Sequence, residues 1–142
     1  MVKQLSVFLE NSKGRLSRMT TLLGEAGVDL LALSIADTTD YGILRAIVND
    51  TDKALAVLKE GGYTVNVTEV LAVLVPDVPG GLARILKLLL DTDVSVEYLY
   101  SFIHRAQENA LILFKVDNVD QAATVLKKNG VELLNEHEIA AL

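Results

Sequence analysis

Leu5, Val7 and Leu9 alternate with polar neighbours, the period-two mark of a strand with one buried face. The spacing then changes. Leu16, Met19, Leu22, Leu23 and Ala26 fall on one side of a helix, and Gly27 is placed to end it. The stretch from Val28 to Thr39 predicts a second strand, Asp40-Tyr41-Gly42 a turn, and Ile43 to Val48 a returning third strand. Thr51-Asp52 is placed to cap a second helix over Lys53 to Glu60; Gly61-Gly62 stops it, and Tyr63 to Val67 supplies a last strand.

The same pattern is then written again. Leu5, Val7 and Leu9 recur 66 positions later as Leu71, Val73 and Val75, Gly14 and Leu16 as Gly80 and Leu82, and Met19, Leu22 and Leu23 as Ile85, Leu88 and Leu89. After a two-residue insertion the shift is 68, and Ile43, Leu44 and Val48 meet Leu111, Ile112 and Val116. The second copy therefore predicts a strand over 70–75, a helix over 80–91, strands over 94–104 and 110–116, a helix over 119–128 and a strand over 131–136. Two βαββαβ units follow, 1–68 and 69–142, each an α+β ferredoxin-like domain with an antiparallel sheet and its helices on one face.

Two further patterns bear on assembly. The join from Val65 to Leu71 holds no glycine, proline or turn cluster, which predicts close coupling of the two units. The third strand of the second unit, Ala110 to Val116, is apolar at consecutive positions, as in strands buried on both faces. A unit of about 70 residues buries little surface alone, so pairing of units and then of chains into a homodimer is expected.

Composition narrows the function. Hydrophobic residues make up 51% and aromatics 5%, so the core is aliphatic; mean hydropathy is +0.36. The longest apolar run, Val70 to Val75, falls far short of the roughly 20 residues that cross a bilayer. The start, Met1 to Gln4, leads into a strand pattern and not a secretory apolar core, and cysteine is absent, excluding disulfides, thiolate metal sites and thiol catalysis. A cytoplasmic protein without cofactor or metal is expected. Net charge is −6, carried as −1 on residues 1–68 and −5 on residues 69–142. That acidity opposes binding to phosphate backbones, which depends on Lys and Arg, so neither nucleic acid nor membrane is an expected partner.

The candidate chemistry lies where each first strand meets its helix, at Asn11 to Leu16 and Asp77 to Leu82. Glycine after a strand lets backbone approach a ligand, and a helix's first turn offers free N–H donors with a partial positive charge, suited to a carboxylate or phosphate. Pro79 reads as the first helical residue, where proline costs no hydrogen bond, and Leu16 and Leu82 as anchors into the core below. A turn serving only the fold needs the same glycine, and the repeat does not separate the two readings.

The stretch LENSKGRLSRMTTLLGEAGVDLLALSIADT and its partner VPDVPGGLARILKLLLDTDVSVEYLYSF resemble the ACT domain, a βαββαβ regulatory module that binds amino acids. The shared features are Asn/Asp-x-Pro-Gly-x-Leu after the first strand and a Gly-Val/Ile-Asn/Asp opening to the second, and they span essentially the whole chain. The resemblance implies paired domains with an effector at the seam, where one domain's first turn faces its neighbour's second strand. It further implies that Asn11 contacts the ligand, that Gly14, Arg15 and Leu16 present the N–H groups for its carboxylate, with charge from Lys13 or Arg15, and that Asp29 holds its ammonium. In the second unit the matching residues are Asp77, Pro79, Gly80, Gly81, Leu82 and Ser95. Lys13 stands where the family has proline, Ser95 where it has Asp or Asn, and Leu9 and Val75 where the serine-sensing version has histidine, so serine is not implied as the ligand. The function implied is a non-enzymatic sensor that reports a small amino acid to a partner enzyme of amino-acid metabolism; the alternative is a constitutive regulatory subunit or scaffold that pairs through its sheets.

Other classes lack residues. His104 and His137 stand apart without an evident partner, Ser12, Ser17 and Ser34 have no histidine at a telling distance, and nothing matches metal-ligand spacing. Asp37, Asp40, Asp91 and Asp93 read as turn-formers, and Asp117, Asn118 and Asp120 as helix-start residues. Gly80-Gly81 lacks the rest of a dinucleotide fingerprint. RNA-binding relatives of this fold stack bases on strand aromatics, whereas these first and third strands are aliphatic. Tyr98, Tyr100 and Phe102 share one parity and read as sheet or interface packing.

Overall fold

Alternating apolar positions fold into β1 (Val2–Glu10), where Leu5, Val7 and Leu9 are all buried. Helix α1 (Arg15–Glu25) follows, then β2 (Leu30–Asp37), β3 (Tyr41–Val48), α2 (Thr51–Glu60) and β4 (Thr64–Pro76). The order repeats as α3 (Gly81–Asp91), β5 (Val96–Ser101), β6 (Asn109–Val116), α4 (Val119–Lys128) and β7 (Leu133–Leu134), followed by a short helix α5 (Glu136–Ala140). The structure, a computed structural model, describes residues 1–37, 40–103 and 108–142. The expected strand ends at Thr39 and His104 lie outside the described residues.

The chain divides into two compact units, Lys3–Thr68 and Glu69–Leu142, the latter including Met1 and Val2. In the first the strands lie in the order β2-β3-β1-β4, with Leu5 opposite Ala46 and Ile35 opposite Leu44. Its core joins Leu5, Val7 and Leu9 of β1 and Leu44 of β3 to Met19 and Leu23 of α1 and Leu58 of α2, so both helices cover one sheet face. In the second unit the order is β7-β4-β6-β5, with Phe114 between Leu71 and Leu99. Ile85 and Leu89 of α3 and Leu126 of α4 close over Val73, Ile112 and Phe114. In β6 the intervening Leu111 and Leu113 are buried too, so that strand is shielded on both faces, as its unbroken apolar run predicts. Tyr98 and Tyr100 share a face, as their parity predicts, with ring centroids 6.4 Å apart.

Helix ends follow backbone chemistry closely. After α1, α2 and α4, Gly27, Gly62 and Gly130 adopt left-handed φ of 75–86°. The next N–H returns to a helix carbonyl each time: Val28 to Leu23, Tyr63 to Leu58 and Val131 to Leu126. After α3 the same position holds Asp93 at φ 59°. Helix starts depart from the sequence reading at three points. Asp50, not Thr51-Asp52, caps α2, accepting from the Lys53 N–H at 3.1 Å, because it is the residue still in extended conformation. Pro79 lies one residue before the Gly80 cap of α3 and so is not helical. Asn135 and Glu138 form a capping box that starts α5, where a strand through residue 136 is expected. The predicted strands 63–67 and 70–75 are one strand, β4, which passes from one unit into the other without a turn.

Candidate functional site

The described helices fall into two classes at their N-termini. Side chains cap α2, α4 and α5 through Asp50, Asn118 and Asn135. The first helix of each unit has no such cap: α1 starts after Gly14 (φ 85°) and α3 after Gly80 (φ 84°), neither with a side-chain acceptor. At α1 the Arg15 N–H reaches only the Ser12 carbonyl, at 3.3 Å, and the first helical bond runs from Arg18 N–H to Gly14 O at 2.9 Å. Leu16 and Ser17 sit between them, the place of the orphan donors of a helix start. At α3 the pattern repeats, with Gly81 N–H on Val78 O at 3.0 Å and Arg84 N–H on Gly80 O at 3.0 Å.

Beside the α1 start lies a cleft of about 160 Å³, lined by Asn11, Ser12, Arg15 and Leu16 from the turn and helix and by Ile35 and Asp37 from β2, with Leu9, Glu10 and Gly42 as its floor and rim. Leu16 is 41% exposed and faces solvent at this lip; it is not the core anchor expected of it, and Met19 and Leu23 carry that role one turn on. Arg15 leans over the ring of Tyr63, 5.5 Å from its centroid, beside Arg18 at the same distance. Its ion pair with Glu10 is long, 3.8 Å, and Glu10 is 80% exposed, so the pair binds weakly. Arg15 Nε is buried and has no hydrogen-bond partner among the described residues. Across the cleft, β2 pairs Asp37 with Gly42; a Cβ there would fall 2.7 Å from Asp37 Oδ1, so glycine leaves room for the carboxylate.

The family of ACT domain pairs matches residues 1–142. This chain belongs to the ACT domain pair family. Among solved structures the pair is similar to protein BT0572 from Bacteroides thetaiotaomicron, with a TM-score of 0.93, 41% identity, and coverage of 99% of this chain and 96% of that one. It also resembles the ligand-free regulatory subunit of aspartate kinase from Thermus thermophilus (TM-score 0.64, 13% identity, 89% and 91% covered) and that of Thermus flavus (TM-score 0.61, 12% identity, 89% and 90% covered). At those identities the likeness is one of fold. No curated protein matches the chain.

The two ACT units differ where the first has its cleft. Gly81 occupies the place of Arg15, and a Cβ on it would overlap the Pro76 carbonyl oxygen, so no side chain fits there. Val131 follows Gly130 as Tyr63 follows Gly62; without the ring, a cleft of about 170 Å³ opens between β4, α3 and the end of α4, lined by Pro76, Arg84, Ile85, Asn109 and Val131 among others. Asp77, Gly80 and Leu82 do not line it. Sequence reading assigned no role to Arg84 or Arg18, yet each donates from Nη2 to the carbonyl of the residue just past the neighbouring helix: Arg18 to Gly61 O after α2 and Arg84 to Asn129 O after α4, both at 3.3 Å.

Asp29 and Ser95 lie away from these turns. Each opens its strand at the opposite end of its own sheet, with β2 between them and the cleft in the first unit, roughly 25 Å at 3.3 Å per residue. There they are held by matching clamps. Asp29 N–H donates to Asn49 Oδ1 at 2.8 Å and Asn49 N–H returns to Asp29 O at 3.2 Å; Ser95 N–H donates to Asp117 Oδ1 at 3.0 Å and Asp117 N–H returns to Ser95 O at 3.1 Å. Asn118, not Asp117, caps α4. Thus Asn11, Arg15 and Leu16 come together with Lys13 and Gly14 in one turn, while Asp29 shares no site with them in its unit. Glu10, Ser12 and Asp37 are the polar cleft residues the sequence reading passed over, with Leu9, Ile35 and Gly42 the others; the signal for Asp37 was its place in the hairpin opposite Gly42. His137 is exposed in α5, and His104 lies outside the described residues. Among the described residues no group of three or more His, Cys, Asp or Glu could hold a metal ion, and no helix is long and apolar enough to cross a membrane.

Proposed function

We propose that this ACT domain pair is a non-enzymatic regulatory protein that binds a small amino acid and reports it to a partner enzyme of amino-acid metabolism. The observation that carries the reading is the contrast in helix starts: α1 and α3, alone among the described helices of eight residues or more, begin on a left-handed glycine without a side-chain cap. Free N–H donors and a positive helix end suit a carboxylate. In this reading a second ACT domain closes over the ligand, and occupancy shifts the balance between closed and open pairing, which the enzyme senses. The protein works as a cytoplasmic homodimer, a state that sedimentation velocity measures. A few-atom ligand gives an affinity on the order of micromolar to millimolar.

Thermal-shift measurement against each of the twenty amino acids at millimolar concentration tests the proposal; one or a few raise the melting temperature. A flat response to all twenty sinks it and leaves the constitutive scaffold. That second reading draws on Leu33 and Ile35, 40% and 41% exposed on β2, an edge strand of its unit, and on Leu99 of β5.

A further inference from the structure

We infer that the second unit carries a further ligand site, in the cleft between β4, α3 and the end of α4, and that this site takes a small neutral phenol. It is independent of the amino-acid reading above: Asp77, Gly80 and Leu82 of the α3 turn do not line it.

The internal repeat shows what such a cleft holds. In the first unit Tyr63 follows the left-handed Gly62, and its buried ring lies under the guanidinium of Arg18, 5.5 Å from the centroid. Arg18 is fixed in that pose by donating from Nη2 to Gly61 O at 3.3 Å. The second unit keeps the frame and lacks the ring. Gly130 is left-handed as Gly62 is, and Arg84 makes the same bond, to Asn129 O at 3.3 Å. Val131 stands in place of Tyr63, and Gly81 in place of Arg15, the other arginine over the ring. Arg84, Ile85 and Val131 instead border an open cleft of about 170 Å³. An apolar cavity of about 150 Å³ holds one benzene ring, so a single ring fits where the first unit packs its own.

The lining selects the kind of ring. A guanidinium attracts and stacks on an aromatic face, and the bond to Asn129 leaves Arg84 in the pose from which Arg18 does so. Ile85 and Val131, both buried, supply the apolar wall. Glu132 and Asn109 complete the lining with a carboxylate and an amide. An aromatic acid is opposed by Glu132 and an aromatic cation by Arg84. A neutral ring with one hydroxyl stacks on the arginine and donates to the carboxylate. The Tyr63 hydroxyl has no hydrogen-bond partner among the described residues; Glu132 stands where the first unit has Thr64 and brings the acceptor.

The test uses p-cresol, the tyrosine side chain as a free molecule, titrated into the full chain and followed by amide NMR shifts. The expected result is one site of about millimolar affinity, with shifts centred on Arg84, Val131 and Glu132. V131Y, which copies Tyr63 into the cleft, abolishes binding, and R84Q weakens it about two- to fivefold. 4-Methylcyclohexanol, with the hydroxyl but no aromatic face, binds more weakly than p-cresol. Circular dichroism melting checks that both variants fold; if V131Y does not, R84Q and the methylcyclohexanol comparison decide. Absent or scattered shifts, full p-cresol binding by a folded V131Y, or equal binding of the two probes overturns the site. Binding of N-acetyltyrosinamide more than about tenfold tighter than p-cresol assigns the cleft to a partner's tyrosine and overturns the small-molecule ligand. The thermal shifts with the twenty amino acids are a separate measurement, so either reading stands or falls without the other.

Discussion

A Cβ added to Gly81 would overlap the carbonyl oxygen of Pro76, so the α3 start is pressed against the end of β4 with no space for a side chain. Nothing lies within 4 Å of a Cβ built on Gly80 or Gly14, whose constraint is the left-handed backbone alone. The crowding that the glycine-rich turn implies therefore falls on Gly81. Gly81→Ala should destabilise the second unit by about 3 kcal/mol, through backbone displacement, while Gly80→Ala costs about 1 kcal/mol of conformational strain. Urea unfolding of the two variants gives the order; equal losses would contradict it.

Asp93 is the one described non-glycine residue at positive φ, and it stands where the first unit has Gly27. It also puts a negative charge at a helix C-terminus, where the helix dipole disfavours it. Asp93→Gly should stabilise the chain by about 0.5–1 kcal/mol, and Gly27→Asp should cost a similar amount. Melting curves decide it; a D93G loss would mean that the Asp93 side chain carries weight in the native state.

The clamps on Asp29 and Ser95 use Asn49 in one unit and Asp117 in the other, and both act through the same oxygen. Asn49→Asp and Asp117→Asn should therefore stay within about 0.5 kcal/mol of the native chain, whereas either residue changed to alanine costs about 1 kcal/mol. Hydrogen exchange at the Asp29 and Ser95 amides reports the loss directly.

Tyr63 is 5% exposed, and its hydroxyl is buried without a hydrogen-bond partner among the described residues. Removing an unpaired buried hydroxyl relieves a desolvation cost. Tyr63→Phe should be neutral or stabilising by up to about 1 kcal/mol, with the ring kept under Arg15 and Arg18. Tyr63→Val, which copies Val131, should cost about 2–3 kcal/mol by leaving a void. A destabilised Y63F would show that the hydroxyl does find a partner.

Much of the fold was legible because single residues sufficed to set it. Leu5, Val7 and Leu9 announce a one-sided strand, and the glycines after α1, α2 and α4 sit where only a left-handed residue ends a helix. What escaped depended on neighbours in space. Leu16 has the spacing of a core residue, yet it stands 41% exposed at the lip of the cleft, whereas Leu82, its counterpart in the repeat, packs against the second core. Asp37 looks like any turn-former until the β2–β3 register sets it opposite Gly42 and over the same cleft as Arg15. The Asn-x-x-Glu signature of α5 was present in the sequence; a weak strand pattern over Val131 to Leu134 masked it.

Because β4 continues from Thr64 to Pro76, a cut between Thr68 and Glu69 severs a strand in mid-course. Fragments made at that repeat boundary would each carry a ragged end prone to self-association. Half-chain expression is therefore a poor way to ask which copy senses a metabolite, and point changes in the intact polypeptide are the cleaner tool.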